Sequence, residues 1–177
     1  MIKGFDSVLH NATRMTKMSK TFKIPLISTN QSPKIFGPTV KELTDLYAGA
    51  DNVFTHSKTD FSMLEKPVLD QLATIKRDKV IIYGIECHVC VKQTCLDLLE
   101  KNYDVHLLVD GVSSMSLHDR TVAIEALRDA GVVLTTFQSL LFELAKNPGI
   151  PEYKQLLPLL KDGPKENLTL HHDLHKL

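Results

Sequence analysis

A short segment in the middle of the chain carries residue types suited to nucleophilic chemistry. It reads GIECHVCV at 84–91 and directly follows an apolar run at 80–83. Because such a run is typical of a buried strand in a parallel sheet, the segment lies at a strand's carboxyl end, where ligands bind in α/β folds. We predict that Cys90 is a nucleophile at a helix start, where unpaired N–H groups and the helix dipole favour a thiolate. The N–H groups of Val89 and Cys90 are predicted to hold a developing oxyanion.

Three other interpretations of the cysteines stay open on spacing alone. Cys95 falls on the inward face of the following predicted helix, so it and Cys87 are explained as small apolar residues. The Cys87-x-x-Cys90 spacing also fits a redox pair or half of a zinc site. The absence of a second ligand pair near by weighs against zinc, although His88, His171, His172 and His175 keep it as an alternative. The absence of the Trp and Pro context of thioredoxin-like motifs weighs against the redox pair.

The apolar pattern around this segment predicts alternating strands and helices. Strands are expected at 24–29, 53–56, 80–84, 104–110 and 132–135. Helices are expected on an N-terminal surface segment with apolar residues Phe5, Val8, Leu9, Ala12 and Met15, and from about Thr39, Pro67, Cys90, Ser116 and Gln138. The helices at Thr39 and Ser116 start with the spacing of a capping box. Alternation of this kind implies right-handed βαβ units, so we predict an α/β fold class, a Rossmann-like three-layer α/β/α sandwich with a mostly parallel sheet.

The length of 177 residues accommodates one domain with a well-packed core. We assign that domain to 1–147 and treat 148–177 as a separate C-terminal segment. The segment carries a leucine-rich stretch interrupted by Pro158 and then a polar end. It is therefore interpreted as a docking segment followed by a flexible tail.

Composition excludes several classes of function. Lys and Arg total 21, as do Asp and Glu, so the net charge is zero and a nucleic-acid partner is not expected. No apolar run approaches the roughly 20 residues that cross a bilayer, so no membrane partner is expected. The three cysteines share one short segment, which favours a reducing compartment. We predict a cytoplasmic protein, and the basic N-terminal segment is also compatible with mitochondrial association.

Several motifs together resemble the isochorismatase-like cysteine hydrolases, closest to the eukaryotic isochorismatase domain-containing proteins. The resemblance rests on GIECHVCV at 84–91, the following helix, VHLLVDGVSS at 105–114 and GPTV at 37–40. It extends over nearly the whole chain. The family's triad is Asp, Lys and Cys in that order, which assigns the nucleophile to Cys90. The loop SKTDFSM at 57–63 matches the family's Lys-Thr-x-Phe-Ser segment, so the resemblance assigns the catalytic lysine to Lys58.

The resemblance also implies the surroundings of these two residues. Asp110, Glu86 and Phe61 are expected to line the pocket, and a cis peptide bond is expected near Ile85-Glu86. No cofactor is expected. No metal is expected either, because metal-using amidases of the family bind their ion with an Asp and paired His residues, which the sequence NQSP at 30–33 does not supply.

One departure from the family pattern affects the expected chemistry. In the family a central first strand ending in the triad Asp precedes the opening helix, whereas this chain starts after it. The strand is therefore expected to be missing between the strands at 24–29 and 80–84, and the domain to be N-terminally truncated. Asp6 is interpreted as a helix N-cap and not as a replacement base. We expect the printed sequence to begin at an internal methionine of a longer protein.

These observations together predict a cysteine hydrolase acting on a small amide, ester or ether-type substrate. If the 177 residues are the whole protein, activity is expected to be absent or very weak, because no general base is positioned to take the thiol proton. The alternative is a pseudoenzyme that acts as a protein-binding module. The expected partners are a small-molecule substrate and either further copies of the chain or another protein. A ribonuclease role, a label that some family members carry, is disfavoured by the neutral charge.

Overall fold

In the computed structural model, which describes residues 1–163, five parallel strands alternate with helices that cover both sides. The strands are β1 (Leu26–Gln31), β2 (Val53–Lys58), β3 (Lys79–Ile85), β4 (Asp104–Ser113) and β5 (Val133–Thr135). The helices are α1 (Phe5–Thr21), α2 (Pro33–Phe36), α3 (Lys41–Tyr47), α4 (Lys66–Ile75), α5 (Lys92–Glu100), α6 (Leu117–Asp129), α7 (Phe137–Ala145) and α8 (Tyr153–Lys161). A π-helical turn at Cys87–Val91 leads into α5. The predicted α/β class is confirmed, and within 1–163 no helix is long and apolar enough to span a membrane.

The strands form two sheets within the described residues. β1 pairs with β2 in parallel, from Leu26 opposite Val53 to Gln31 opposite Lys58. The second sheet has the order β3-β4-β5 and is also parallel. Between residues 1 and 163, β1 and β3 share no ladder, and a cleft lies between them. The division falls between the two strands that the sequence analysis places on either side of the absent first strand.

One hydrophobic core lies between β3 and β4 and the helices α4, α5 and α6. Its members alternate along the strands and recur at helical spacing along the helices, as expected for elements that each bury one face. Fully buried members include Cys87, Cys95, Leu98, Leu107, Val112 and Leu127. Cys95 therefore packs as a small apolar residue.

A second core lies on the other side of β4, where α1, α7 and α8 meet. It contains the buried residues Met18, Leu108, Phe137, Leu141 and Leu156. Helix α8 continues through Pro158, contrary to the expected interruption. Because Pro158 is exposed, the carbonyl that its ring deprives of a donor can face water. The part of the predicted flexible tail beyond residue 163 lies outside the described residues.

Helix α1 is more deeply enclosed than its interpretation as a surface helix implied. Its polar side is buried too, because hydrogen bonds compensate for the lost water. Asn11 donates to the backbone oxygen of Asp110 at 2.6 Å, and Arg14 Nε donates to that of Leu159 at 2.9 Å. The Arg14 guanidinium also lies 3.8 Å from the centre of the Phe137 ring, a cation–π geometry. Hydrophobic periodicity reports only the apolar side of such a helix.

The helix starts confirm one capping prediction and correct two. Ser116 is the N-cap of α6, and its hydroxyl accepts from the backbone N–H three residues on, at 3.2 Å. Thr39 does not cap α3, whose N-cap is Val40 and has no side-chain hydrogen bond. Asp6 does not cap α1 either. There the N-cap is Gly4, with φ of 61°. Asp6 lies in the first turn, where its negative charge interacts favourably with the positive end of the helix dipole.

Candidate active site

The candidate site lies where the carboxyl ends of β1, β2 and β3 meet. Gln31 is the last residue of β1, Lys58 the last of β2, and Cys90 follows β3 by five residues. Because Gln31 and Lys58 are register partners, their side chains lie next to each other at the sheet edge. Both residues and Cys90 line a cleft of about 420 Å³. Its remaining lining is mainly apolar, from α1, β1 and β3.

The site brings the two predicted catalytic residues together. Lys58 Nζ lies 3.6 Å from Cys90 Sγ, and the lysine side chain is only 3% exposed. The ammonium also donates to the backbone oxygens of Asp60 and Phe61, both at 2.8 Å, and to Gln31 Oε1. Over residues 1–163, no carboxylate oxygen lies within ion-pair distance of this ammonium. A buried cation with only neutral oxygen partners favours a negative charge on the adjacent sulfur.

Cys90 is partly exposed within the π-helical turn that opens helix α5. Its sulfur also lies 3.9 Å from Gln31 Oε1, and its backbone oxygen accepts from Thr94 Oγ1 at 2.6 Å. The peptide bond between Ile85 and Glu86 is cis, as the resemblance implied. Cys90 thus faces the cleft from the first helical turn after β3.

The other two thiols are poor candidates for chemistry. Cys87 and Cys95 are both 0% exposed, and burial raises the pKa of each thiol to about 12. Such thiols are almost entirely protonated at neutral pH. The three cysteines are free, which gives no support to a Cys87–Cys90 redox pair. Within 1–163, no group of three His, Cys, Asp or Glu side chains is placed to bind a metal, and the C-terminal histidines of the zinc hypothesis lie outside that range.

Three of the other predicted site residues make contacts away from the Cys90 sulfur. The Asp110 carboxylate accepts from the backbone N–H of Phe137 at 3.0 and 3.2 Å at the start of α7, and burial raises its pKa. The Glu86 carboxylate accepts from the N–H of Met115 at 2.8 Å. Neither Asp110 nor Glu86 lines the cleft. The N–H of Val89 donates to the Glu86 backbone oxygen at 3.2 Å, so its oxyanion role stays a prediction.

Phe61 and Gln31 contribute differently from what sequence reasoning suggested. Phe61 is 55% exposed, and it holds Lys58 through its backbone oxygen. Gln31 was not predicted as a site residue, yet its oxygen contacts Lys58 and its Nε2 donates to the Thr59 backbone oxygen at 2.7 Å. The available signal was its position as a polar residue at the carboxyl end of a predicted parallel strand.

The loop that follows β2 is tied to the start of α4 by one carboxylate. Glu65 Oε1 accepts from the backbone N–H groups of Thr59 at 2.7 Å and Asp60 at 3.0 Å, and Oε2 accepts from His56 at 2.8 Å. The His56 hydrogen bond, followed by the Asp60 and Thr59 N–H groups, lowers the pKa of Glu65 to about 2. The carboxylate therefore stays ionised throughout the neutral and mildly acidic range.

This low pKa predicts an acid-dependent loss of stability. A carboxyl whose pKa falls from 4.5 to about 2 on folding stabilises the fold above pH 4.5, and that stabilisation is lost as pH falls toward 2. We expect Glu65→Gln to have a lower Tm than the wild type at neutral pH, and the gap to narrow below about pH 4.5. Thermal unfolding of both proteins across that range measures it. A gap that stays constant down to pH 3 contradicts the prediction.

The parallel strands and the helices on both sides define the class as a parallel α/β protein. Its site is a thiol beside an ammonium at the carboxyl ends of the strands. The chain belongs to the isochorismatase family, whose domain matches residues 2–139. It is 39% identical to a secreted isochorismatase effector, Isc1, of Phytophthora sojae over 161 residues, covering 90% of this chain and 77% of that protein. It is 37% identical to isochorismatase domain-containing protein 2 of Xenopus laevis, covering 89% and 75%. The solved structure of the MAR1 ribonuclease of Caenorhabditis elegans superposes with a TM-score of 0.87 at 36% identity, covering 93% and 84%.

Proposed function

We propose that this chain is a cysteine hydrolase for a small amide, ester or ether-type substrate, with Cys90 as nucleophile and Lys58 as its electrostatic support. The observation that carries the proposal is the buried Lys58 ammonium, 3.6 Å from the Cys90 sulfur and otherwise bound by neutral oxygens. Such an ammonium stabilises a thiolate more than a thiol, and the thiolate is the nucleophile. Lys58 and Cys90 both line the cleft, so a small molecule that enters it can reach the sulfur.

With an ester, the proposed reaction runs in two steps. The Cys90 thiolate attacks the carbonyl carbon and the carbon–oxygen bond to the leaving group breaks. The leaving oxygen departs with that electron pair as an alkoxide and takes a proton from water. The thioester that remains is then attacked by water, which releases the carboxylic acid and restores the sulfur. Lys58 stays protonated and stabilises negative charge near the sulfur in both steps.

We further propose that turnover is weak for substrates whose leaving group needs a proton. The side-chain partners of the Cys90 sulfur within 1–163 are Lys58 and the neutral amide of Gln31. The Gln31 amide is too weak an acid and too weak a base to transfer a proton in catalysis, and Lys58 keeps its proton in the proposed mechanism, whereas an amine leaving group departs only when protonated. Esters with acidic alcohols should therefore react faster than amides.

We do not propose ribonuclease activity for this chain, although the Caenorhabditis elegans structure carries that name. The chain carries 21 basic and 21 acidic residues, so it lacks the excess positive charge with which proteins bind phosphate backbones. A protein-binding module without catalysis is the competing function. It requires no reactive thiol.

Alkylation with iodoacetamide tests the proposal against that alternative. We expect one carbamidomethyl group per chain at neutral pH, located on Cys90 by peptide mapping, because the Cys87 and Cys95 thiols are buried and almost fully protonated. Cys90→Ala should take up none on the same time scale. Labelling of Cys87 or Cys95 at the same rate as Cys90, or an inert Cys90, contradicts the proposed function.

A further inference from the structure

The two backbone oxygens that hold Lys58 belong to the short loop between β2 and α4. Asp60 and Phe61 each accept from the ammonium at 2.8 Å. Both are exposed residues, and exposed loops hold a fixed geometry only when other contacts restrain them. The position of the ammonium therefore depends on what restrains this loop.

Two side chains anchor the loop, one near each end. The Glu65 carboxylate binds the N–H groups of Thr59 and Asp60. On the other side, the buried Thr94 hydroxyl accepts from the N–H of Met63 at 2.9 Å and donates to the Cys90 oxygen. The loop is thus tied to helix α4 through one residue and to the helix carrying the nucleophile through the other.

Glu65 is itself held in place from two sides, by helix α4 and by β2. Its backbone is the N-cap of α4, and its backbone oxygen accepts from Val68 at 3.0 Å and Leu69 at 3.1 Å. Its side chain is 19% exposed, and one carboxylate oxygen binds His56 on β2. Since Val68 is buried in the core, the carboxylate projects from a fixed part of the fold.

We propose that Glu65 is a positioning residue that fixes the loop oxygens around the Lys58 ammonium and thereby holds it against the Cys90 sulfur. The inference rests on the proposed roles of Cys90 and Lys58. Without the carboxylate, the N–H groups of Thr59 and Asp60 turn to water and the loop loses its fixed shape. The ammonium then loses oriented acceptors in a buried position, and the thiolate loses part of its stabilisation.

Two near-isosteres of Glu65 separate positioning from a purely structural role. Glu65→Gln keeps the length of the side chain and an oxygen that accepts from both loop N–H groups, but removes the charge. Glu65→Asp keeps the charge, and Asp is a good N-cap, but the side chain is one methylene shorter and does not reach the loop. A role confined to starting α4 tolerates Asp, whereas positioning requires the length that Gln retains.

The readout is the rate of Cys90 alkylation by iodoacetamide as a function of pH. Rates are measured for the full chain, with Lys58→Met as reference and Asp70→Asn as matched control, because Asp70 pairs with Lys66 on the exposed side of α4. We expect the pH midpoint in Lys58→Met to lie above that of the wild type. The midpoint of Glu65→Asp should shift toward that of Lys58→Met. Each pH unit of that shift should lower the alkylation rate at neutral pH about tenfold. Glu65→Gln and Asp70→Asn should stay near the wild type.

The outcomes distinguish this inference from the proposed function. If Lys58→Met shifts the midpoint and Glu65→Asp does not, the positioning role of Glu65 is overturned and the proposed function stands. A midpoint that is the same in Lys58→Met and the wild type overturns both. Thermal unfolding of each variant shows whether a rate change accompanies loss of the fold, and a shift in Glu65→Asp at unchanged Tm supports positioning.

Discussion

Replacing Cys90 with alanine is expected to abolish the burst of p-nitrophenol that the wild-type chain releases from p-nitrophenyl acetate. The p-nitrophenolate ion leaves without a proton, so the first step needs only the thiolate that Lys58 supports. The thioester then hydrolyses slowly, because no side chain that contacts the Cys90 sulfur within 1–163 can accept a proton from water. The expected result is a burst of about one equivalent followed by a slow phase, the kinetic pattern of a covalent intermediate.

Cys95→Ala provides the matched control, because it removes a thiol from the same helical region while leaving the cleft intact. It should retain the burst, whereas Cys90→Ala should fall to the buffer rate, a loss on the order of 10³-fold or more. Stopped-flow absorbance gives the amplitude, and intact mass detects the added acetyl group. A burst that persists in Cys90→Ala refutes the assignment of the nucleophile.

The sequence alone predicted the strands and the location of the site at their carboxyl ends. The five strands follow from short apolar runs with turn residues between them, and all five are present with ends shifted by up to three residues. Cys90 and Lys58 are far apart along the chain, but Lys58 ends the parallel strand β2 and Cys90 follows the parallel strand β3. Since those strands end at the same side, their juxtaposition is a consequence of the fold class.

Contacts between polar groups were beyond the reach of sequence patterns. Arg and Gln are residue types that usually lie at the surface. Only the tertiary hydrogen bonds show that Arg14 is buried on α1 and that the Gln31 amide belongs to the site. Glu65 likewise resembles an ordinary acidic residue before a helix. At Thr39 the opposite error occurs. The spacing of a capping box is present there, but the N-cap of the helix is the next residue, Val40. Local pattern fixes neither which polar groups become buried nor what they bind.

The cleft between β1 and β3 explains why the site has both an apolar and a polar end. Its apolar side chains come from strand and helix positions that face inward, such as Val8, Ile27 and Ile82. Its polar end coincides with the carboxyl ends of the strands, where Gln31 and Lys58 lie.

Replacing Arg120 with methionine is expected to destabilise the fold by about 3 kcal/mol. Arg120 is 1% exposed, and it donates to the backbone oxygens of Val112, at 2.9 Å, and Val109. The register of β3 and β4 shifts at this place, so residues 108–111 fall outside one-to-one pairing with β3. Methionine fills a similar volume but donates no hydrogen bond, and each buried carbonyl left without a donor costs about 1–3 kcal/mol.

Arg128→Met is the matched control for this prediction, because Arg128 lies on the same helix with its side chain 57% exposed. The control should change stability by less than about 1 kcal/mol, the usual contribution of an exposed ion pair. For Arg120→Met the Tm should fall by about 6–12 °C, from about 2–4 °C per kcal/mol in a chain of this size. Urea unfolding of the three proteins gives the free energies directly. If Arg120→Met and Arg128→Met lose the same small amount of stability, then other donors satisfy the irregular stretch of β4. In that case Arg120 does not hold the strand from which Asp110 binds the N–H of Phe137 at the start of α7.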